Sequence, residues 1–192
     1  MSCQQVPTTP ALKPYPRSVQ VGEFEVAISG GVWVAIRVVQ NAIDFAQMLD
    51  IELPRVALLS ALENVSPSIP STLDAAALCK MADRGQIRGG LLDGPLAFDN
   101  AISSEAATIK QIESSVAGQA DVLAVPDLES GNMLAKQLEY LAGATGSGIV
   151  LGARVPIALT SRADGPRART SSAMLAQLVA HRTGDSLSRK ST

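Results

Sequence analysis

Residues suited to handling an anion collect in two places in this chain. Ser130, Gly131 and Asn132 follow the apolar run Val122–Val125 and open a segment in which Leu134, Leu138 and Leu141 share one helical face. A helix starting there offers free N–H groups and the positive end of its dipole, with Lys136 about one turn in. Further on, Ser161, Arg162, Asp164 and Arg167 follow the apolar run 155–159. A hydroxyl beside a guanidinium can hydrogen-bond an acyl carbonyl or a phosphate oxygen, while the fixed cation meets developing negative charge. Neither residue needs to form a covalent bond, so the loops point to a phosphate-bearing ligand. A plainer arrangement uses the same residues: Ser161 caps the loop and Arg162 pairs with a surface carboxylate such as Asp164. Residue types alone do not choose between the two.

The elements that must position these loops follow from periodicity. Four prolines and small polar residues make 1–17 an extended or disordered leader. Alternation through Val19, Val21, Phe24, Val26 and Ile28 is compatible with a strand or hairpin, broken at Gly30-Gly31. Val39, Ile43, Ala46 and Leu49 return at helical spacing. Arg55–Leu59 reads as a buried strand, and Ser71 to Asp74 as a capping box for a helix over 75–81 that Gly85 stops. A strand over 87–92 should end at Asp93-Gly94-Pro95. Beyond it come a helix over 105–114, the strand Val122–Val125, a helix over 130–142, strands at 149–151 and 155–159, and a helix over 170–181 with a fraying polar tail. Strands alternating with helices predict an α/β fold of three layers, α/β/α, whose mostly parallel sheet is covered on both faces. Function in such a fold gathers at strand ends.

Composition narrows the partners. The 192 residues carry a formal net charge of −2 and only 3% aromatic side chains, which argues against a phosphate-tracking nucleic-acid surface and leaves few platforms for stacking bases. No stretch nears the roughly 18 apolar residues that span a bilayer, so no membrane partner and a cytoplasmic location are expected. Cys3 and Cys79 lack metal-ligand spacing. Cys79 reads as a buried small side chain, with a thiol nucleophile as the alternative. The run Gly143 to Gly148 has a helix before it and a strand after it, the reverse of a dinucleotide fingerprint, and reads as a helix end and turn. No Walker A pattern occurs. Asp93 and Asp99 read as turn residues, and His181 as a surface residue at the end of the last helix.

Three motifs, NAIDFAQMLDIELPRVALLSALE at 41–63, GGLLDGPLAFDNAIS at 89–103 and VAGQADVLAVPDLESGNMLAK at 116–136, precede VPIALTSRAD at 155–164. Together they resemble the carboxy-terminal portion of the phosphate acetyltransferases and phosphate butyryltransferases over about residues 35–180, with the butyryl branch the nearer. The resemblance implies reversible transfer of a short acyl group between coenzyme A and inorganic phosphate, on a fold similar to isocitrate and isopropylmalate dehydrogenases. Ser161 and Arg162 match the pair that family enzymes place at the reacting acyl phosphate. Asn132 and Lys136 match a Gly-Asn-x-x-x-Lys motif expected to shape the cleft or contact substrate, and Asp164 is expected beside them. Coenzyme A or acyl-CoA and phosphate or acyl phosphate are the implied substrates, with no metal or redox cofactor and a homodimer as the implied assembly.

The resemblance also sets expectations about what is missing. Residues 18–152 should form the family's second, inserted domain and 153–182 the returning strand and helix of an otherwise absent first domain, with 183–192 a flexible tail. The absent part carries one wall of the cleft. Residues 21–40 depart from the family pattern. Ala168 stands where the acetyl branch has the aspartate expected to deprotonate the coenzyme A thiol, which leaves the general base open. A truncated, inactive remnant or a dimerisation or interaction module is therefore the competing expectation.

Overall fold

The computed structural model describes residues 20–23 and 31–189. The expected leader, the alternating positions from Phe24 to Ile28 and the Gly30 break lie outside the described residues. Four strands form one parallel sheet: β1 (Gln20–Glu23), β2 (Arg55–Leu59), β3 (Leu91–Leu96) and β4 (Val122–Val125), in the order β1-β4-β2-β3. Every side chain of β4 is buried, and its alternation feeds two cores. Val122 and Ala124, with Val56 and Leu58 of β2, pack against α1 (Gly31–Met48) and α2 (Pro70–Asp83). Leu123 and Val125, with Ala57 and Leu59, pack beneath α3 (Phe98–Ile102), α4 (Ser104–Ile109) and Leu134 of α5 (Leu128–Leu141). Helices thus cover both faces, as the three-layer expectation required.

Several boundaries differ from the sequence reading, each for a local reason. The helix α2 begins at Pro70 rather than after a Ser71 cap, and its N-cap Ile69 makes no side-chain bond. Proline suits a first turn whose N–H groups lack helical partners. The hydroxyl of Thr72 donates within the preceding turn, to the carbonyls of Ser66 and Ile69, and accepts the Ser66 amide. Gly85 with φ 70° does stop the helix. The third strand is Leu91–Leu96, so Asp93-Gly94-Pro95 lies inside it. An edge strand tolerates a proline, and the register absorbs the extra residue: Ala57 faces Asp93 but Leu59 faces Leu96, a bulge. The helix expected over 105–114 is the shorter α4, ending at Ile109, and α3 stands before it where no helix was expected.

The helix α5 starts at Leu128, not at Ser130. Asp127 is its N-cap, and its carboxylate accepts the Ser130 amide at 2.7 Å and the Ser130 hydroxyl at 2.8 Å. At the other end Gly143, with φ 69°, turns the chain and the Ala144 amide returns to the Leu138 carbonyl at 3.0 Å, the helix end and turn expected of the Gly-rich run.

Beyond the main sheet, β5 (Gly148–Val150) and β6 (Ile157–Leu159) form a separate antiparallel pair, and all three β6 residues are exposed. The last helix, α6 (Pro166–Arg189), starts before Thr170 and continues past His181 and residue 183 instead of giving way to a tail, so His181 is an exposed mid-helix residue. Buried Ser172 joins α6 to β5 by accepting the Gly148 amide at 3.0 Å. Arg182 reaches Asp50 at the end of α1 with a 3.0 Å ion pair.

Two substitutions test this packing. A β-carbon at Gly94 would lie 2.6 Å from Leu58 Cβ and 2.7 Å from its carbonyl oxygen. Gly94→Ala is expected to lower stability by about 1–3 kcal/mol, the usual cost of overpacking. A urea midpoint equal to wild type would show that β2 and β3 do not depend on this approach. Asp127→Ala is expected to cost about 1 kcal/mol as a lost helix cap. The Ser130 amide, then its hydroxyl, hold the Asp127 carboxyl below its ordinary value. The contribution is therefore full above the unfolded value of about 3.9 and fades as pH falls through the lower folded value. Urea titrations at neutral and strongly acid pH measure it, and a penalty unchanged by acid would exclude the capping carboxylate as its source.

Candidate functional site

The strand β6 ends at Leu159, and the chain then makes a tight turn before α6. The Ser161 amide donates to Asp164 Oδ2 at 2.7 Å, and the Asp164 amide returns to the Ser161 carbonyl at 3.1 Å. Arg169, one turn into α6, donates from Nε to the Asp164 carbonyl at 3.0 Å. The Arg162–Asp164 pair of the plainer arrangement is not among these bonds. Asp164 is engaged by backbone, and Arg162 makes no hydrogen bond or ion pair with any of the described residues. Ser161 Oγ accepts a long 3.4 Å bond from the Ala163 amide, and its proton has no acceptor among the described residues. A free hydroxyl donor and an unpaired guanidinium therefore stand side by side on an anchored turn, able to polarise a carbonyl and hold an anion.

The helix α5 brings Lys136 toward this turn. Its ammonium bonds Glu139 Oε2 at 2.7 Å. That bond first, and the more distant Asp164 carboxylate among lesser causes, hold the Lys136 pKa above its ordinary value. Lys136 is thus a fixed cation near the Ser161–Asp164 turn. Asn132, one helical turn earlier, is exposed and unbonded among the described residues. The expected open helix start is not available as an anion site, because Asp127 already fills it with a carboxylate of the chain itself. An open cavity of about 290 Å³ lies between the end of α5, the Gly-rich turn and the start of α6. Ala168 lines it with Asp164 and Glu139, so the position without the expected aspartate does face a space with two carboxylates.

Elsewhere, the remaining candidates resolve as structure. Asp93 accepts its neighbour's Gly94 amide at 2.8 Å. Asp99 pairs with Lys110 at 3.1 Å, and this hydrogen bond holds its carboxyl below the ordinary range. Lys110 also meets Glu63 at 3.5 Å, and fully buried Asn100 donates to the same Glu63 at 3.4 Å. The thiol of Cys79 faces the Gly94 carbonyl at 3.6 Å, and burial, then nearby Asp93, push its pKa up to about 12. A thiol so placed stays protonated at neutral pH and is no nucleophile.

The sequence reading passed over Glu139 and Asp127. Both were within reach of local patterns: Lys136 and Glu139 at i,i+3, and Asp127 three residues before Ser130. The Glu63, Asn100 and Lys110 contacts join residues far apart in sequence and left no local signal.

Comparison with known proteins gives the family. The family described as phosphate acetyl/butaryl transferase matches residues 31–176. A phosphate acetyltransferase of Rhizobium meliloti is 63% identical over 145 residues, covering 76% of this chain and 46% of the relative. A phosphate butyryltransferase of Clostridium acetobutylicum is 47% identical over 145 residues, covering 76% of this chain and 48% of the relative. Between these two, identity is higher to the acetyl-named protein, whereas the motifs had pointed to the butyryl branch. The crystal structure of a branched-chain phosphotransacylase from Enterococcus faecalis V583 superposes with a TM-score of 0.71 at 35% identity, over 81% of this chain and 56% of that one. The chain spans about half the length of the curated relatives it matches. With the family model matching residues 31–176 and the fold shared with a phosphotransacylase, the chain belongs to the phosphate acetyl/butaryl transferase family.

Proposed function

We propose that this chain carries the phosphate-binding half of a phosphate acyltransferase that moves a short acyl group between coenzyme A and inorganic phosphate. The observation that carries this reading is the unpaired Arg162 beside the free Ser161 hydroxyl on a turn fixed by Asp164. In a ternary complex the coenzyme A thiolate attacks the acyl phosphate carbonyl, Ser161 polarises that carbonyl, and Arg162 meets the charge gathering on phosphate. This chemistry calls for no metal or redox cofactor. Asn132, Lys136 and Asp164 shape the phosphate side of the cleft. The proposed location is the cytoplasm; among the described residues no helix is long and apolar enough to cross a membrane.

The proposed division assigns residues 18–152 to the family's second domain and 153–182 to the strand and helix that return to its first. A second reading, an inactive remnant or interaction module, is favoured by one feature. Strand β6 pairs only with β5 among the described residues, and Ile157, Ala158 and Leu159 are all exposed.

Activity separates the two. The chain alone is expected to form little or no acyl-CoA from acetyl phosphate or butyryl phosphate, and adding the first domain of a relative in one polypeptide is expected to restore turnover. In that restored enzyme Arg162→Ala should lower kcat by about 10² to 10³, the scale of a lost transition-state donor. An unchanged rate would remove Arg162 from the mechanism. We also propose a homodimer, since association covers apolar side chains such as Tyr140, Leu141 and Val155 that stand exposed. Light scattering at micromolar concentration should give twice the chain mass, and a monomer there would exclude it.

A further inference from the structure

Lys136 stands near the Ser161–Arg162 turn with a neighbour able to take its proton. Resting on the acyl phosphate reading of that turn, we propose that Lys136 is itself an acyl acceptor, which bound acyl phosphate slowly converts to an amide, so that the site is self-limiting when acyl phosphate accumulates. The ammonium lies 2.7 Å from Glu139 Oε2. Glu139 shares the lining of the open cavity with Ala163 and Asp164, the two residues that follow the reacting pair. One side chain therefore separates the Lys136 amine from the space beside that pair. Asp164, three residues past Ser161, is also near enough to be among the charges acting on the ammonium.

An acyl phosphate is an activated carbonyl compound, and a lysine amine attacks it once its own proton is gone. One ammonium proton passes to the Glu139 carboxylate and on to solvent. The Lys136 nitrogen then forms a bond to the carbonyl carbon, the bond from that carbon to the bridging oxygen breaks, and phosphate leaves with its electron pair and a second proton from the nitrogen. The bond to Glu139 first, with Asp164 a lesser cause, holds the Lys136 pKa above its ordinary value, so little free amine exists at neutral pH. The reaction is accordingly slow, a modification accumulated over many turnovers and not a step of the cycle, and it quickens as pH rises. An amide no longer balances Glu139, so acylation leaves that carboxylate uncompensated where an anionic substrate must approach. Lys80 provides an internal comparison. It pairs with Asp83 at the same i,i+3 spacing, at 3.0 Å, and its side chain is 65% exposed against 40% for Lys136. Accessibility alone favours Lys80, so a preference for Lys136 has to come from bound substrate.

The test is peptide mass spectrometry of the whole chain after incubation at mildly alkaline pH with acetyl phosphate or, separately, with acetic anhydride. The anhydride carries no phosphate and should label Lys80 ahead of Lys136. Acetyl phosphate should invert that order and label Lys136 about tenfold or more faster than Lys80, a small part of what holding two reactants together can supply. Excess inorganic phosphate and the substitution Arg162→Ala should each slow labelling of Lys136 and leave Lys80 unchanged. Acetyl phosphate labelling Lys80 as fast as Lys136, or a Lys136 rate indifferent to either change, would overturn the proposal. Coenzyme A turnover in the restored enzyme without any such preference would sink this inference alone and leave the acyl-transfer reading standing. Phosphate-sensitive labelling of Lys136 with no turnover there would do the reverse.

Discussion

Burial of β4 on both faces governs most of what surrounds it. A strand whose every side chain leaves water must find apolar partners above and below, and its backbone must pair on both sides. The sequence supplies α1 and α2 for Val122 and Ala124, and α3 to α5 for Leu123 and Val125. The neighbours β1 and β2 supply the ladders. At the strand's entry the Asp121 carboxylate takes the Arg55 amide at 3.0 Å while the Asp121 amide reaches the Arg55 carbonyl at 2.9 Å, which fixes the register of β2 against β4. The helix α5 begins three residues after Val125, so the position of Lys136 and Glu139 is set by the central strand rather than by a surface loop.

Charge at the candidate site is organised by which oxygen takes which donor. Asp164 could have neutralised Arg162, its near neighbour in sequence. It binds the Ser161 amide instead, so the same carboxylate that shapes the turn leaves the guanidinium available. Glu139 performs a comparable task for Lys136, fixing the ammonium at 2.7 Å while keeping the other oxygen open to the cavity. Exposed pairs of this kind add little stability. Their effect is on where cations and acceptors stand.

Period and composition made the layers legible, because Arg55–Leu59 and Val122–Val125 are short apolar runs between helical patterns. Boundaries were less so where a side chain bonds back to the main chain. Ser71 and Asp74 have the spacing of a capping box, yet Thr72 binds the Ser66 and Ile69 carbonyls and the helix opens on Pro70. Asp-Gly-Pro has turn chemistry, but in β3 the edge position and the bulge against β2 let the strand run through it. The Ser161–Arg162 pair was legible as residue types and as motif. Its freedom from Asp164 was not, since that rests on one amide hydrogen bond that no spacing encodes.

The brevity of β6 shapes how this chain meets others. A long open edge would be a template on which copies add without limit, as in a growing fibre. Three residues present too few main-chain donors and acceptors to hold a stranger's strand by themselves, and Pro156 immediately before them removes an N–H that would lengthen the ladder. Whatever settles on Ile157–Leu159 must therefore bring matching side-chain surface as well as backbone. The edge selects for a shaped partner and resists indiscriminate polymerisation.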